Sequence, residues 1–337
     1  MLAAIIERPH HLELRRVPVP DIKPDEALVK VAASGICGTD LHIYEGQFIS
    51  RYPLVAGHEF AGIIVKTGAE VEGFAPGDMV ACDPSIYCEH CYYCLRNRQN
   101  HCENWQALGV TRWGGFAEYV AVPKQCLHKV KSCSLPEAAF IEPLACVVWG
   151  LEQARPELGD QVLIYGAGAI GLLHLQMALR TGTSAVTVVD KRTDRLELAS
   201  RLGAARTVPA DGHEDHTLKE LAPRGFSLVI DATGVPAVVE KALGQVQNAG
   251  KLLIFGVCPQ QARISISPYE IYRRDLKIIG SFAIRKTFAQ AVDLMESGAV
   301  DVLPLIGRTL PLTGLPDALE EMAAGKAPMK LQVQMGE

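Results

Sequence analysis

Apolar and polar residues alternate in short segments along the first part of the chain, up to about residue 140. Residues 27–32, with the sequence ALVKVA, are one example. Glycine and proline interrupt the alternation repeatedly, and a turn at Gly77 and Asp78 leads into a further apolar segment. A period of two is typical of strands that bury one face, with glycine and proline marking the turns. We therefore predict a small, partly open β-barrel here, with residues 115–120 as another of its strands.

The pattern changes near Leu135, where one helix is predicted to begin, and a second helix runs through residues 146–151. Residues 161–165 (QVLIY) then form a continuous apolar run, which is typical of a strand buried in a parallel sheet. Strands and helices alternate from there on. The further predicted strands are residues 185–190, 227–231, 251–256 and 276–280. This alternation predicts a doubly wound α/β domain.

The last part of the chain, after about residue 283, changes character again. Residues 288–297 predict an amphipathic helix that ends at Gly298, and residues 302–306 and 331–333 predict short strands. We infer that the chain returns here to the first domain. The predicted domains are residues 1–142 with 283–337, which carry a cysteine-rich lobe at about 84–104, and residues 143–282.

Composition limits the classes of function. The chain has 337 residues, 48% hydrophobic and 21% charged, so it can bury the cores of two domains. A net charge of −5 argues against nucleic acid or an anionic membrane as the main partner. Glu7 comes too early for a signal peptide, and no apolar run is long enough to span a bilayer. We expect a cytoplasmic protein whose ten cysteines are metal ligands and buried thiols.

Four cysteines fall in one short segment, at spacings of two, two and seven intervening residues. They are Cys88, Cys91, Cys94 and Cys102. Four thiolates at these spacings can close a tetrahedron around one zinc ion, with no position left for a substrate. An iron–sulfur site is one alternative, and a disulfide pair is disfavoured because no export signal is found. We predict a structural zinc site that holds the lobe together.

Gly166, Gly168 and Gly171 form the pattern G-x-G-x-x-G, directly after an apolar strand and before a predicted helix. In this context the glycines allow a tight turn, a close approach of a pyrophosphate and close packing of helix on strand. The helix N-terminus then offers free N–H groups to the phosphates. With Ile170 inside it, this segment is predicted to bind a dinucleotide.

Asp190 ends the second predicted strand of this domain. A carboxylate at this position can accept hydrogen bonds from both hydroxyls of the adenosine ribose, and it repels a 2′-phosphate. We therefore predict NAD as the cofactor. NADP stays possible, because Lys191 and Arg192 follow directly and could offset the repulsion.

A second candidate metal site lies in the first domain. Cys37 and His58 are suitable zinc ligands, and a catalytic zinc needs about three protein ligands and one open position. The third ligand has to come from Glu59, Glu142 or another cysteine. A buried cysteine beside a core histidine is the simpler interpretation of the same residues. Residues 213–216 (HEDH) are predicted to form a polar surface loop rather than a metal site.

The chain as a whole resembles the zinc-containing medium-chain dehydrogenases, and among them the polyol, or sorbitol-like, branch. The resemblance is carried by GICGTD at residues 35–40, by GHE at 57–59, by EPLAC at 142–146, by the four cysteines and by the nucleotide loop. It implies a GroES-like catalytic domain with a Rossmann domain and an active site in the cleft. It also implies two zinc ions in each chain, one catalytic and one structural.

The resemblance implies roles for single residues near the catalytic zinc. Cys37, His58 and a glutamate would be its ligands, with Glu142 where simple alcohol dehydrogenases have a cysteine. Glu59 would lie close to the metal and ligate it in one phase of the cycle. Asp40 would hold the second nitrogen of His58, as carboxylates often do for zinc ligands. Cys146 is interpreted as a buried thiol.

A proton has to leave the buried site when the alcohol is oxidised. Thr39 and His42 resemble the hydroxyl and the imidazole of the family's proton relay. An activated water held by Glu142 is the alternative, and the sequence does not choose between the two.

Other cofactor contacts are carried over by resemblance only. They are Arg195 at the adenosine end, Phe255, Gly256 and Val257 after one strand, and Ser281 and Phe282 after the last strand.

The sequence departs from the family pattern at one position expected to contact the substrate. Sorbitol-type enzymes carry an Arg-Tyr pair after the phenylalanine, whereas this chain has Ala283, Ile284 and Arg285. Arg285 is the candidate substitute for that pair.

We therefore expect an NAD-dependent, zinc-dependent enzyme that interconverts a polyol or sugar-derived secondary alcohol with its ketone. An L-threonine-type amino-alcohol dehydrogenase is the alternative within enzymes, because residues 39–44 (TDLHIY) also resemble that branch. A non-catalytic nucleotide-binding protein is the alternative outside enzymes. The expected partners are a small-molecule alcohol and further copies of the chain, as a homodimer or homotetramer, with neither nucleic acid nor membrane.

Overall fold

The computed structural model describes residues 1–336, and this part of the chain contains eighteen strands and ten α-helices. The strands are β1 Leu2–Arg8, β2 His11–Arg16, β3 Glu26–Gly35, β4 Leu54–Val55, β5 Glu59–Thr67, β6 Met79–Cys82, β7 Ser85–Ile86, β8 Gln106–Ala107, β9 Tyr119–Pro123, β10 Leu127–Lys129, β11 Gln161–Tyr165, β12 Ala185–Asp190, β13 Arg206–Pro209, β14 Phe226–Asp231, β15 Val246–Ile254, β16 Lys277–Gly280, β17 Ile306–Pro311 and β18 Lys330–Gln334. The helices are α1 Gly38–Tyr44, α2 Leu135–Ala138, α3 Ile141–Ala154, α4 Ala169–Leu179, α5 Thr193–Arg201, α6 Glu214–Leu221, α7 Pro236–Gln245, α8 Pro268–Arg274, α9 Phe288–Glu296 and α10 Leu315–Ala323.

The chain divides into two compact units, the first made of Met1–Ala145 with the segment after residue 283, and the second of Cys146–Ala283. The second unit contains a six-stranded sheet in the order β13-β12-β11-β14-β15-β16, with every neighbouring pair parallel. The chain starts this sheet at β11, adds β12 and β13 on one side, and then adds β14, β15 and β16 on the other side. Because connections between parallel strands are almost always right-handed, this change of direction places helices on both faces of the sheet.

The strands at the centre of this sheet form where the sequence is continuously apolar. In β11, Val162, Leu163 and Ile164 are fully buried. A strand covered by helices on both faces has no exposed side, so its apolar residues do not alternate with polar ones. The predicted doubly wound sheet is therefore confirmed.

The first unit is built from mainly antiparallel sheets, in which β17 and β18 pair in parallel. A seven-stranded sheet has the order β10-β6-β5-β3-β18-β17, with β9 paired to β3, and a three-stranded sheet has the order β2-β1-β4. β3 is the central strand, because it pairs with β5, β9 and β18. The pairing of β18 with β3 shows that the end of the chain returns to the first unit, as the sequence predicts.

Three local predictions are wrong. Residues 115–118 lie outside the strand that was predicted there, and β9 begins only at Tyr119. Residues 303–305 form a 3-10 turn around Pro304, which lacks a backbone N–H and suits a turn, and β17 begins at Ile306. Residues 213–216 are not a loop, because α6 begins at Glu214.

Candidate active site

The four-cysteine lobe, residues 84–104, brings its four predicted zinc ligands together. Their Sγ atoms all lie within 4.8 Å of one another, three of the four residues are buried, and none forms a disulfide. The backbone N–H of Cys88 donates to Sγ of Cys102 at 3.4 Å. A hydrogen bond from the backbone of His90 is the main cause that lowers the pKa of Cys88 to about 6. A close cluster of four soft donors fits one tetrahedral zinc ion.

Cys37, His58 and Glu59 form a second cluster, in which one potential ligand atom of each lies within 4.8 Å of the others. Cys37 follows β3 and is the N-cap of α1, and Glu59 is the first residue of β5. The antiparallel register of β3 and β5 sets Gly35 opposite Glu59. A Cβ atom at Gly35 would lie 2.1 Å from Oε2 of Glu59, so a larger residue there would force this buried carboxylate to move.

Asp40 connects the two loops that carry this cluster. Its Oδ2 accepts from the N–H of Cys37 at 2.8 Å, and its Oδ1 accepts from the N–H of Gly57 at 3.1 Å. Oδ1 also lies 3.3 Å from Nδ1 of His58. Burial lowers the pKa of His58, but Asp40 and Cys37 outweigh it and hold that pKa well above its ordinary value. Asp40 therefore orients His58 and both loops together.

Lys330 is part of this site and was missed from the sequence. Its Nζ donates to Oε1 of Glu59 at 2.7 Å and to the carbonyl of Ile36 at 3.3 Å, and the lysine is only 8% exposed. Burial lowers the pKa of Lys330, but the carboxylate of Glu59 outweighs it, so the pKa lies above its usual range. The sequence offered only a lysine at the start of β18, a strand in which apolar residues alternate with glutamines.

Glu59 has a second oxygen with no such partner. Oε2 is buried and accepts no hydrogen bond among the described residues. A buried carboxylate oxygen without a partner is costly unless a cation or a donor reaches it. Together with a thiol and an imidazole within 4.8 Å, this oxygen fits a metal such as zinc.

Glu142 lies in the first turn of α3 and is buried. It is not one of the three residues whose ligand atoms cluster within 4.8 Å. Burial is the main cause that raises its pKa to about 7, with a further increase from Glu59 and a decrease from His58 and Lys330. Its role as a ligand of the second metal stays a prediction.

Thr39 and His42 both lie on α1, one turn apart. Oγ1 of Thr39 is 3.8 Å from Sγ of Cys37, which places the hydroxyl beside the cluster. Nδ1 of His42 lies 4.0 Å from a carboxylate oxygen of Glu45, and the imidazole is partly exposed. A hydroxyl at the metal cluster and an imidazole near solvent are the two ends that a proton relay needs, and the relay itself stays a prediction.

The glycine-rich loop follows β11 in the second unit. Gly166 has φ of +99°, and a Cβ atom at Gly171 would lie 1.8 Å from the carbonyl oxygen of Gly166. Gly168 is the N-cap of α4, and a Cβ atom there would meet only Nη1 of Arg195, at 3.9 Å. Two of the glycines are therefore required by the fold itself, while Gly168 leaves the space in front of the helix open. Ile170 lies in the first turn of this helix.

Asp190 has a structural role that the sequence did not reveal. Its Oδ2 accepts from the N–H of Ala167 at 2.6 Å, and its Oδ1 accepts from the N–H of Arg192 at 2.8 Å. The carboxylate thus holds the glycine-rich loop in place. Each carboxylate oxygen can accept a further hydrogen bond, so contacts to the ribose hydroxyls remain open to it. Arg195 is near the same loop, and burial lowers its pKa.

The ends of β14 and β15 interlock beside this loop. The carbonyl of Asp231 accepts from the N–H groups of Phe255 and Gly256 at 3.0 and 2.9 Å. A Cβ atom at Gly256 would lie 2.1 Å from the nitrogen of Gly234, so the two loops require glycine there. Val257 is exposed just beyond them. These segments follow the carboxyl ends of parallel strands, where α/β sheets of this order bind ligands.

Ser281 and Phe282 follow β16, the last strand of this sheet. The N–H of Ser281 donates to the carbonyl of Ile254 at 3.2 Å, and Phe282 is 49% exposed.

Two expectations for other residues change. Arg285, the candidate for a substrate contact, donates to the carbonyl of Asn97 in the four-cysteine lobe at 3.1 Å. Cys146, expected to be a buried thiol, is partly exposed.

Family comparisons agree with this geometry. The family model of the alcohol dehydrogenase GroES-like domain matches residues 23–132, and that of zinc-binding dehydrogenase matches residues 169–297. D-arabinitol dehydrogenase 1 of Uromyces fabae is 36% identical over 96% of this chain and 94% of its own. The chain belongs to the zinc-binding medium-chain dehydrogenases. D-altritol 5-dehydrogenase of Agrobacterium fabrum is 37% identical over 95% of each chain.

A solved member of the family has the same fold. It is a putative zinc-binding dehydrogenase of Sinorhizobium meliloti bound to NADP, with a TM-score of 0.93, 34% identity, and coverage of 99% of this chain and 98% of that one. Relatives named sorbitol dehydrogenase and L-threonine 3-dehydrogenase match at 32% identity.

The comparisons confirm the predicted family, the GroES-like and Rossmann folds, and the class of enzyme. The chain is thus a zinc- and NAD(P)-dependent dehydrogenase of the alcohol and polyol type, and the non-catalytic alternative is wrong. Within residues 1–336, no helix combines the length and the apolar character that a membrane crossing requires.

Proposed function

We propose that this dehydrogenase interconverts a secondary alcohol of a polyol or sugar-derived substrate with its ketone, with NAD as the hydride carrier. The observation that carries the proposal is the cluster of Cys37, His58 and Glu59, in which one buried oxygen of Glu59 lacks a partner. Zinc bound there would act as a Lewis acid on the substrate oxygen, while NAD would take the hydride.

The chain's own residues then have distinct tasks. Cys37 and His58 would hold the metal, and Asp40 keeps the imidazole oriented from 3.3 Å. Thr39 would take the alcohol's proton and His42 would pass it to solvent. Glu142, with a pKa raised to about 7, is the second candidate for the base, because a group that titrates near neutral pH can both accept and release a proton.

The hydroxylated substrate is supported by the residues and by the relatives. A carboxylate at position 142 in place of a cysteine makes the site harder and more polar, which suits a substrate with several hydroxyl groups. The names of the relatives include D-arabinitol, D-altritol and sorbitol dehydrogenases. Because Arg285 is bound to the four-cysteine lobe through Asn97, we do not assign it to the substrate.

The substrate is tested by measuring NADH formation with pentitols, hexitols, sugar phosphates, sugar acids and simple monoalcohols. We expect at least one polyol or sugar derivative to exceed 2-butanol and ethanol in kcat/KM. If a simple monoalcohol were the best substrate of the panel, the polyol assignment would be wrong, while the class of enzyme would stand.

An amino-alcohol substrate is the second candidate, because L-threonine 3-dehydrogenases are among the relatives. The same panel includes L-threonine and L-serine for this reason. Turnover of L-threonine above that of every polyol would favour this alternative.

We also propose NAD rather than NADP as the cofactor, because the negative carboxylate of Asp190 would repel the 2′-phosphate of NADP. One solved relative has NADP bound and another has NADH bound, so the fold accommodates either cofactor and the preference depends on local residues. Initial rates with both cofactors at saturating alcohol measure it directly.

The proposed assembly is a homodimer or homotetramer. β16 is one of the two outer strands of the six-stranded sheet, and an outer strand is a template for pairing with a second copy. The region predicted to provide this edge, residues 263–279, is only partly strand, because α8 occupies Pro268–Arg274. Sedimentation at micromolar concentration should show more than one chain per particle, and a stable monomer would refute the assembly.

A further inference from the structure

The chain leads into α9 through residues 284–287, here called the return segment. Its last residue, Thr287, is 1% exposed, and its Oγ1 donates to the carbonyl of Ala145 at 2.7 Å. Ala145 lies on α3 one turn after Glu142. Residues three apart on a helix lie on neighbouring parts of one face, so Thr287 fixes the backbone directly behind Glu142.

The other end of the return segment is held by the four-cysteine lobe. The hydroxyl of Tyr87 donates to the carbonyl of Ile284 at 2.8 Å, and both residues are buried. Tyr87 directly precedes Cys88, the first of the four predicted zinc ligands. A zinc ion that fixes Cys88 therefore also fixes the residue that holds Ile284.

Two further contacts join the lobe to the same segment. Nη1 of Arg285 donates to the carbonyl of Asn97 at 3.1 Å, and Nζ of Lys286 lies 3.0 Å from a carboxylate oxygen of Glu89. Glu89 and Asn97 both have left-handed backbone conformations, with φ of 61° and 54°. Such conformations persist in non-glycine residues where the surroundings impose them, so the closed lobe sets both contact points.

We propose that the four-cysteine lobe and the return segment form one continuous support that positions Glu142 at the second metal centre. Tyr87 and Thr287 are the positioning residues at the two ends of this support. Zinc in the lobe would then contribute to the geometry of the second centre as well as to the stability of the lobe. The inference rests on the proposed function, in which Glu142 belongs to that centre.

Two matched pairs of variants test the inference. Thr287→Val removes the hydrogen bond to Ala145 at nearly constant shape, while Thr287→Ser keeps the hydroxyl. Tyr87→Phe removes only the hydroxyl that holds Ile284. Tyr93→Phe, in the same lobe, alters a tyrosine that is 37% exposed and meets Tyr92 edge to face.

The readout is the zinc affinity of the second centre, measured by competition with a chromogenic chelator, and the visible spectrum after cobalt substitution there. Changes behind metal ligands typically weaken a metal by about 10- to 100-fold. Thr287 and Tyr87 act on Glu142 only through the backbone of α3 and the return segment, so their effect should be smaller. For T287V and Y87F we expect zinc affinity to fall by about three- to tenfold and the cobalt spectrum to shift. T287S and Y93F should bind zinc as wild type does. The loss of zinc affinity in the double variant T287V/Y87F should be smaller than the sum of the losses in the two single variants, because both residues act on one support.

Wild-type zinc affinity and cobalt spectra in both T287V and Y87F would overturn the inference, even if their melting temperatures fell. If Y87F does not fold, Glu89→Ala and Lys286→Ala, which change an exposed ion pair, take its place with the same criterion. A failure of the proposed function looks different, because wild-type protein would then bind no metal at Cys37, His58 and Glu59.

Discussion

At the scale of single residues, the site depends on a few side chains that each make several contacts. Asp40 is the clearest case, because one carboxylate accepts two backbone N–H groups and lies 3.3 Å from His58. Cys37 and His58 could be named as candidate zinc ligands from their residue types, and the family resemblance added Glu59 near the metal, while the third ligand stayed open between Glu59, Glu142 and another cysteine. Lys330 could not, because it reaches Glu59 from a strand at the other end of the chain.

Lys330→Met should destabilise the protein, because it leaves the carboxylate of Glu59 buried without its cation. Breaking one partner of a buried ion pair typically costs about 3–5 kcal/mol in the free energy of unfolding. Urea denaturation measures the loss, with Lys330→Arg as the variant that keeps the charge. K330M/E59Q should regain part of the loss. Wild-type stability of K330M would show that Glu59 finds another cation.

Asp190→Ala should narrow the preference for NAD over NADP by about 1–3 kcal/mol, the size of a lost hydrogen bond to a charged group. It should also weaken both cofactors, because Ala167 loses the acceptor that holds the glycine-rich loop. Fluorescence titration with NADH and NADPH measures both effects. Glu197→Ala, which alters an exposed acidic residue of α5, is the control. An unchanged ratio of the two affinities would remove Asp190 from cofactor selection.

At the scale of elements, prediction succeeded where one local pattern decided the structure. The continuous apolar run at β11 and the largely apolar segments at β12 and β14, with predicted helices between them, indicated strands buried in a parallel sheet, and the structure has strands at all three. Prediction failed where a contact with a residue distant in the sequence determines the local structure. α6 begins at Glu214, a buried carboxylate that pairs with Lys241 of α7 at 2.7 Å. No local sequence pattern indicates that pair, so residues 213–216 were predicted as a loop.

The C-terminal end of α9 carries a further long-range contact, with a consequence for pH. The carboxylate of Glu296 accepts from the backbone N–H groups of Lys131, Ser132 and Cys133. Burial raises the pKa of Glu296, but these donors outweigh it and lower the pKa to about 2. Since the folded-state pKa lies below the unfolded value of about 4.3, this stabilisation is present above that value and is lost as the pH falls toward 2.

Glu296→Gln should therefore lower the free energy of unfolding at pH 7 by about 1–2 kcal/mol, a figure reduced for the partial exposure of the group. The difference from wild type should shrink as the pH falls below about 4. Urea denaturation at several pH values measures it, and Asp293→Asn, an exposed change one turn earlier, is the control. A difference that stays constant from pH 7 to pH 3 would contradict the assignment.

At the scale of the whole molecule, two metal clusters of different composition lie in one unit and the glycine-rich loop lies in the other. Four thiols leave no position for a substrate, whereas a thiol, an imidazole and a carboxylate do. The sequence separated these two sets by their spacing. It could not show that residues 284–287 join the four-cysteine lobe to α3, since that segment follows the lobe by almost two hundred residues and makes these contacts only once the chain has folded.

The central claim is that two zinc ions serve separate purposes in each chain, and zinc content measured together with turnover tests it most directly. Wild-type protein should contain two zinc ions per chain. His58→Ala should contain one, bind NADH as wild type does and form no NADH from any alcohol. Cys91→Ser should lose the other zinc and part of its stability. Active wild-type protein with a single zinc ion, or turnover by His58→Ala, would contradict the account.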